Sequence, residues 1–249
     1  MRSWSFRAGL LLLAAVSAPA LAQVVVPTGA AFSLGGGSLD LGNTSLQVGG
    51  SFAVGGGSVQ NADSVAILSG GNLDGGSGAL TLFGDWSNAG TFSAGTGTVN
   101  FVDGGIAQSN ISGNSTFDNV SFVSATGKNY VFAVGSTQSV SSLLTIQGSA
   151  AQGIQFKSAA AGQVANINLL PGGSQNIQYV GVSDVHATGQ HLAANQTNDG
   201  GTGNAIGWFG SAAAGNTVST PTLSWIGMFL LALLLATIAV TRRNGRTAP

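Results

Sequence analysis

The chain of 249 residues has no cysteine and no glutamate, and charged residues of every kind make up only 6% of it. An ordinary soluble domain carries about 25% charged residues. Without cysteine, no disulfide can hold the chain together. The side chains used most often for acid–base and metal chemistry are therefore scarce, since the eight acids are all aspartates and there are only two histidines. This composition predicts a non-catalytic protein without a cofactor.

Basic residues are also few, and five of the seven lie near the two ends of the chain. Between those ends, Lys128 and Lys157 stand against eight aspartates, which gives this part a formal charge of −6. A surface that follows nucleic-acid phosphates needs clustered lysine and arginine. The sequence therefore argues against a nucleic-acid partner.

Residues 1–22 have the pattern of a secretory signal peptide: two early arginines, a short apolar run and a small-x-small site at Ala20 and Ala22. Cleavage after Ala22 would make Gln23 the first residue of the mature chain. The segment therefore predicts export through the Sec machinery.

A second apolar run, residues 223–241, is long enough to cross a bilayer, since nineteen helical residues span about 28 Å. Three arginines follow it directly, and basic residues next to a membrane helix stay cytoplasmic. The run predicts a single transmembrane helix in contact with membrane lipid, with the body of the protein on the outer side. The arginines that stop this segment are Arg242, Arg243 and Arg246.

A short motif stands at the start of this helix and consists of Thr220, Pro221, Thr222, Leu223, Ser224, Trp225 and Gly227. With the helix and the arginines, it resembles the IPTL-type C-terminal sorting tail of Gram-negative bacteria. The likeness covers residues 220–249; Thr220 replaces the isoleucine of that family, and Trp225 comes one position early. The resemblance implies that an exosortase-like enzyme of the inner membrane cuts near the motif and passes the body to the surface. A plain single-pass anchor is the alternative, because it needs only the helix and the arginines.

The body repeats itself about every twenty residues. Phe32, Phe52 and Phe92 fall in one register, with Asn72 in the remaining place. Two glycine columns accompany them, one at Gly35, Gly55, Gly75 and Gly95 and the other at Gly50, Gly70 and Gly90. A fixed period of this length is the signature of a repeat architecture.

Between the glycines, apolar and small polar residues alternate, which is the pattern of half-buried strands. We therefore expect residues 23–210 to form an all-β parallel β-solenoid, with about nine coils of about 20 residues. Glycines would occupy the corners, and an internal aromatic column would be interrupted at Asn72. Trp208 and Phe209 would close the core, and residues 211–219 would link the solenoid to the tail.

The later part of the body resembles adhesin-like β-helix proteins of bacterial surfaces, a likeness that is compositional. The residues that carry it are 179–184, 198–201 and 207–209. It implies a role at the cell surface.

Three sets of residues are candidates for other chemistry. Residues 70–74 share part of a calcium-binding repeat, although a solvated turn explains Asp74 better because the period is twenty and not nine. Asp184, His186, His191 and Asp199 are the only group with transition-metal ligand types, and they lack the spacing of a known site, so no metal is predicted. Asp184, Asp199 and Trp208 would form the weak sugar site of a carbohydrate-active protein.

The favoured interpretation is an exported, non-catalytic structural or adhesion protein of the cell surface or extracellular matrix. The alternatives are a carbohydrate-binding or carbohydrate-active β-helix, with surface glycans as partners, and a self-associating fibre subunit. Low charge and open coil ends, which resemble unpaired strand edges, motivate the fibre.

Overall fold

The computed structural model describes residues 23–193 and 197–210, and these wind into a parallel β-solenoid. The named strands pair in parallel throughout, and the described residues contain no helix. The expected all-β class and solenoid architecture are therefore confirmed. The predicted signal peptide and transmembrane helix lie outside the described residues.

Each coil passes through three strand positions, so stacked coils build three faces. Face 1 consists of β1 (Gln23–Val26), residues 45–48 of β3 (Ser38–Val48), residues 65–67 of β5 (Ser58–Ile67), β8 (Trp86–Asn88), β11 (Gln108–Gly113), β13 (Asn129–Phe132), β15 (Ile154–Ser158) and β18 (Val180–Ser183). Face 2 consists of β2 (Ala31–Ser33), β4 (Ser51–Ala53), β6 (Asn72–Asp74), β9 (Thr91–Ser93), residues 115–117 of β12 (Ser115–Val123), residues 137–140 of β14 (Thr137–Gln147), β16 (Ala165–Leu169) and β19 (Val185–Ala187). Face 3 consists of the first parts of β3 and β5, then β7 (Ala79–Leu82), β10 (Thr98–Phe101), the second parts of β12 and β14, and β17 (Ser174–Gln178).

The solenoid has eight coils, so the expectation of nine was wrong. Ser38 pairs with Ser58, an offset of 20 residues, but Tyr130 pairs with Phe156, an offset of 26. Later coils are longer because their corners carry extra residues, which is why the sequence period fades after Phe101. At about 4.8 Å per step, eight coils rise about 38 Å.

The inward column is apolar without a break where the sequence predicts an interruption at Asn72, although a leucine and not an aromatic ring fills that place. Leu73, and not Asn72, pairs with Phe52 on one side and with Phe92 on the other. Leu73 is fully buried. The offset from Phe52 to Leu73 is 21 residues, one more than the offset from Phe32 to Phe52, and a shift of one residue exchanges the inward and outward sides of a strand.

The corner glycines follow the same one-residue shift. Gly35, Gly55, Gly76 and Gly95 stack on one another with φ between 57° and 63°, so Gly76 occupies the place predicted for Gly75. A Cβ on any of the three upper glycines would overlap the carbonyl oxygen of the coil below. Glycine is required there by both the left-handed backbone and the lack of space.

The second predicted glycine column also shifts by one residue, from Gly70 to Gly71. Gly71 stands in it with Gly50 and Gly90, since the N–H groups of the next residues, at 72 and 91, donate to the carbonyls of Gly50 and Gly71. Gly70 instead takes the positive-φ position of the preceding turn, at 82°.

Aromatic rings fill the core of the later coils. Phe101 stacks on Phe122 at a centroid distance of 4.7 Å, and Phe122 meets the edges of Tyr130 and Phe156 at 4.9 and 5.0 Å. Pairs of this kind contribute about 0.5–1.5 kcal/mol beyond the burial of their area. These contacts join successive coils through the interior and hold them without disulfides.

The last coil is closed by an irregular segment, residues 198–209. Trp208 bridges to Leu192 and is only 5% exposed, with its ring 6.1 Å from Phe156. Gln175 completes the closure, because its amide binds the carbonyl of His191 and the N–H of Ala193 at 2.8 and 2.9 Å. The predicted apolar plug is therefore confirmed for Trp208.

Two alanine substitutions separate the backbone requirement from the steric one. Gly35 and Gly95 have nearly equal φ, 61° and 60°, but only Gly95 has a carbonyl against its side-chain position. We expect Gly35→Ala to lower the free energy of unfolding of the solenoid by about 1–2 kcal/mol. Gly95→Ala should cost several times more, measured by urea unfolding. Equal losses would show that stacking does not exclude a Cβ at this corner.

Candidate functional site

The outer side of face 3 carries a column of uncharged polar side chains on five consecutive coils. They pair in register and are Thr81, Asn100, Ser121, Thr145 and Asn176. Asp40 and Gln60 pair with each other on the first two coils of the same face. Period-two alternation places these residues outward because their neighbours, such as Leu80 and Val99, are buried.

On the outer side of face 3, polar side chains of neighbouring coils form hydrogen bonds with each other. Ser121 Oγ donates to Asn100 Oδ1 at 2.7 Å, and Ser58 Oγ donates to Ser38 Oγ at 3.0 Å. The coil spacing sets donors and acceptors about 4.8 Å apart along the solenoid. Such a surface can form repeated hydrogen bonds with a neutral polar partner, and its amides and hydroxyls do not titrate near neutral pH.

Lys128 is the buried cation of the described residues. It lies at the corner between faces 3 and 1, directly before β13, and is 1% exposed. Its Nζ donates to the carbonyl oxygens of Phe83 and Val102, the latter at 2.8 Å, and lies 5.3 Å from the ring centre of Tyr130. One side chain thus connects three successive corners.

Burial lowers the pKa of Lys128 to about 8, while the carboxylates of Asp103, Asp85 and Asp63 act in the opposite direction. Burial also raises the pKa of Tyr130, and the charge of Asp103 adds to that effect. The Tyr130 hydroxyl and Asp103 Oδ1 are buried and have no partner among the described residues.

An open hollow of about 420 Å³ lies beside this corner, between residues 103–107 and 126–129. Lys128 lines it, but its Nζ is occupied by two carbonyls. The geometry therefore suits a structural cross-link between coils better than a reactive amine. In the sequence Lys128 enters only through the low charge of the body; its isolation in an uncharged stretch just before an apolar strand was the available signal.

Asp184 and His186 share one partner at the end of the solenoid. Asn204 Nδ2 donates to Asp184 at 2.6 Å, and His186 Nε2 lies 3.1 Å from Asn204 Oδ1. These contacts lower the pKa of Asp184: the Asn204 hydrogen bond contributes most, the Gly162 N–H next, and the His186 charge adds to them. The cluster holds the closing segment on the last coil.

The other two candidate ligands lie elsewhere. Asp199 lies over face 1, where its N–H donates to Val180, and His191 follows the last coil beside face 3. Within residues 23–193 and 197–210, no group of three or more His, Cys, Asp or Glu is arranged to hold a metal. The burial of Trp208 also removes the exposed aromatic ring that the proposed sugar site needed.

Residues 70–74, which share part of a calcium-binding repeat, run from a turn into strand β6, and Asp74 ends that strand before the next turn. Asp74 Oδ1 accepts the N–H of Gly76 at 2.9 Å, which is the local turn hydrogen bond expected of aspartate. The turn therefore accounts for Asp74 without a metal.

The residues assigned to signal cleavage, sorting and membrane arrest lie outside the described residues, with one exception. Gln23, the predicted first residue of the mature chain, is the first residue of β1. Among the described residues, no helix is long and apolar enough to cross a membrane. Comparison with protein-family models, curated proteins and solved structures finds no match to this chain.

The low pKa of Lys128 predicts a pH-dependent stability. Between pH 8 and 10.5 the folded state holds fewer protons on this lysine than the unfolded state, so stability rises with pH in that window. Above pH 10 the raised pKa of Tyr130 opposes the trend, because the unfolded tyrosine loses its proton first. Urea midpoints of the solenoid should therefore rise from pH 7.5 to 9.5.

Lys128→Met should abolish this rise, and Lys157→Met, which changes the only other lysine, should preserve it. An unchanged pH profile in the Lys128→Met protein would show that Lys128 does not cause the rise in stability.

Proposed function

We propose that this chain is an exported, non-catalytic structural or adhesion protein that acts at the cell surface or in the extracellular matrix. The observation that carries the proposal is the outer side of face 3, where five stacked coils present aligned, uncharged polar side chains. A solenoid of this kind uses its interior for stability and leaves its outer faces free for contact.

The sequence supports the route to that location. Residues 1–22 have the pattern of a signal peptide with a cleavage point after Ala22. Residues 220–249 resemble an IPTL-type sorting tail, so the partners in processing are the Sec machinery and an exosortase-like enzyme of the inner membrane. The helix at 223–241 holds the precursor in that membrane until the tail is cut.

Carbohydrate binding is the second candidate, and the same face favours it. Amide and hydroxyl groups at regular spacing match the hydroxyl groups of a neutral polysaccharide. A carbohydrate-active site receives less support, since Trp208 is buried and Asp184 is held by Asn204 and Gly162.

The processing route is tested by intact mass and terminal peptides of the protein from inner-membrane, outer-surface and medium fractions. We expect a chain that begins at Gln23 and ends near residues 220–224, found outside the inner membrane. Thr222→Ala alters the motif and should retain the full tail in the inner membrane. Thr217→Ala alters the linker only and should be processed normally.

Equal processing of the two threonine variants would contradict the sorting role of the motif. A wild-type chain that keeps Arg242 and Arg243 in the inner membrane would replace that role with a permanent anchor. A chain that keeps residues 1–22 would contradict cleavage of the signal.

The binding role of face 3 is tested with two arginine substitutions in the same coil. Asn100→Arg places a bulky charge in the polar column, whereas Ser87→Arg places it on the outer side of face 1. We expect the first to reduce attachment of cells to glycan-coated and matrix-coated surfaces several-fold, and the second to leave it unchanged. Equal attachment by both variants would place the contact surface elsewhere.

A further inference from the structure

The first coil of the solenoid exposes residues that belong to the core in every other respect. Val24 and Phe32 pair with Leu46 and Phe52, which are fully buried. In the first coil, however, Val24 is 38% exposed and Phe32 is 47% exposed. The interior of the solenoid is thus open at this end.

The opening is an apolar hollow of about 390 Å³ lined by nonpolar residues only, among them Val24, Val26, Phe32, Leu39 and Phe52. No charged residue lines it. Asp40, the only charged residue between positions 23 and 44, lies on the outer side of face 3, where Asn61 Nδ2 and the Gly42 N–H donate to its carboxylate, both at 2.9 Å.

Two of the three strand edges around the hollow, those of β1 and β2, also lack charged residues and proline. Within the described residues, β1 pairs only with β3, and β2 pairs only with β4. Natural edge strands usually carry lysine, proline or inward charges that prevent pairing with another chain. Neither β1 nor β2 contains any of these.

The proposed cleavage of the signal, on which this inference rests, removes the residues that directly precede this end. Cleavage after Ala22 leaves Gln23, the first residue of β1, as the start of the mature chain.

We infer that the first coil binds the first coil of a second copy, head to head about a two-fold axis. Such an axis turns the second coil over, so its edges meet those of the first copy in antiparallel orientation. The surface is suited to self-pairing because the hollow brings no charge against its own copy. The opposite end is closed by Trp208 and residues 198–209, so the contact forms dimers and not open fibres.

The absence of cysteine allows a direct test in the full-length chain, because a single introduced cysteine can form a disulfide only with another protein molecule. Ala31→Cys and Ser33→Cys place the thiol on the exposed edge strand β2. Mild oxidation of cells that produce either variant should give a covalent dimer and nothing larger. Val134→Cys on the side and Ile206→Cys at the closed end, at positions 47% and 65% exposed, should remain monomeric.

A second substitution tests the apolar contact itself. In the Ala31→Cys protein, Phe32→Asp should abolish the covalent dimer, and Phe32→Leu should retain it. Failure of both β2 cysteines to form a dimer would overturn the inference, as would equal cross-linking at Ile206→Cys.

Terminal peptides of the same samples separate this inference from the proposed export. A chain that begins at Gln23 without forming a dimer overturns the contact and leaves export intact. A dimer formed by chains that keep residues 1–22 overturns signal cleavage and supports the contact. A monomer that keeps residues 1–22 overturns both, because the hollow then has another occupant.

Discussion

Each coil of this solenoid lies about 4.8 Å above the preceding one, and at the glycine corner of the first four coils that spacing leaves no space for a side chain between stacked coils. The glycines at 55, 76 and 95 meet the constraint, since the carbonyl of the coil below occupies the place of a Cβ. With the corners fixed, the short strands between them stay in register. Phe52, Leu73 and Phe92 then stack in the interior.

The same stacking decides where charge is tolerated. Aspartates such as Asp40 and Asp74 lie at turns, where they bind local N–H groups. Lys128 is the exception, because its ammonium group replaces lost hydration with two carbonyl oxygens from neighbouring coils and lies near carboxylates. Stability therefore comes from the interior and the corners. The uncharged polar column on the outer side of face 3 belongs neither to the interior nor to the corners that stabilise the fold. We therefore assign the binding role to it.

The two ends of the solenoid differ in how the apolar interior is covered. At one end, Gln175 and Trp208 bring the chain back across the last coil and satisfy its backbone. At the other end, Phe32 stacks on Phe52 at 5.5 Å, and its other side faces the apolar hollow. A repeat protein needs a cap at each end because every coil buries the one before it. The open end is therefore where we propose that a second copy of the chain binds.

The sequence by itself determined the all-β solenoid class and the register in which the first two coils pair. Alternating residues and the glycine period predicted parallel coils, the inward positions of Phe32, Phe52 and Phe92, and the closure by Trp208, because strand alternation and stacking are local rules. The export signal and the sorting tail are likewise sequence patterns and stay predictions.

Only the tertiary structure decided the number of coils and which residue of β6 faces inward. The extra residue between Phe52 and Leu73 puts Leu73 inside and Asn72 outside, and corner insertions reduce nine expected coils to eight; both depend on which residues pair across coils. The burial of Lys128 also depends on carbonyls 26 and 45 residues away. In the sequence the alternation of Asn72, Leu73 and Asp74 favours Leu73 as the inward residue, whereas the period of twenty favours Asn72, and only the pairing across coils decides between them.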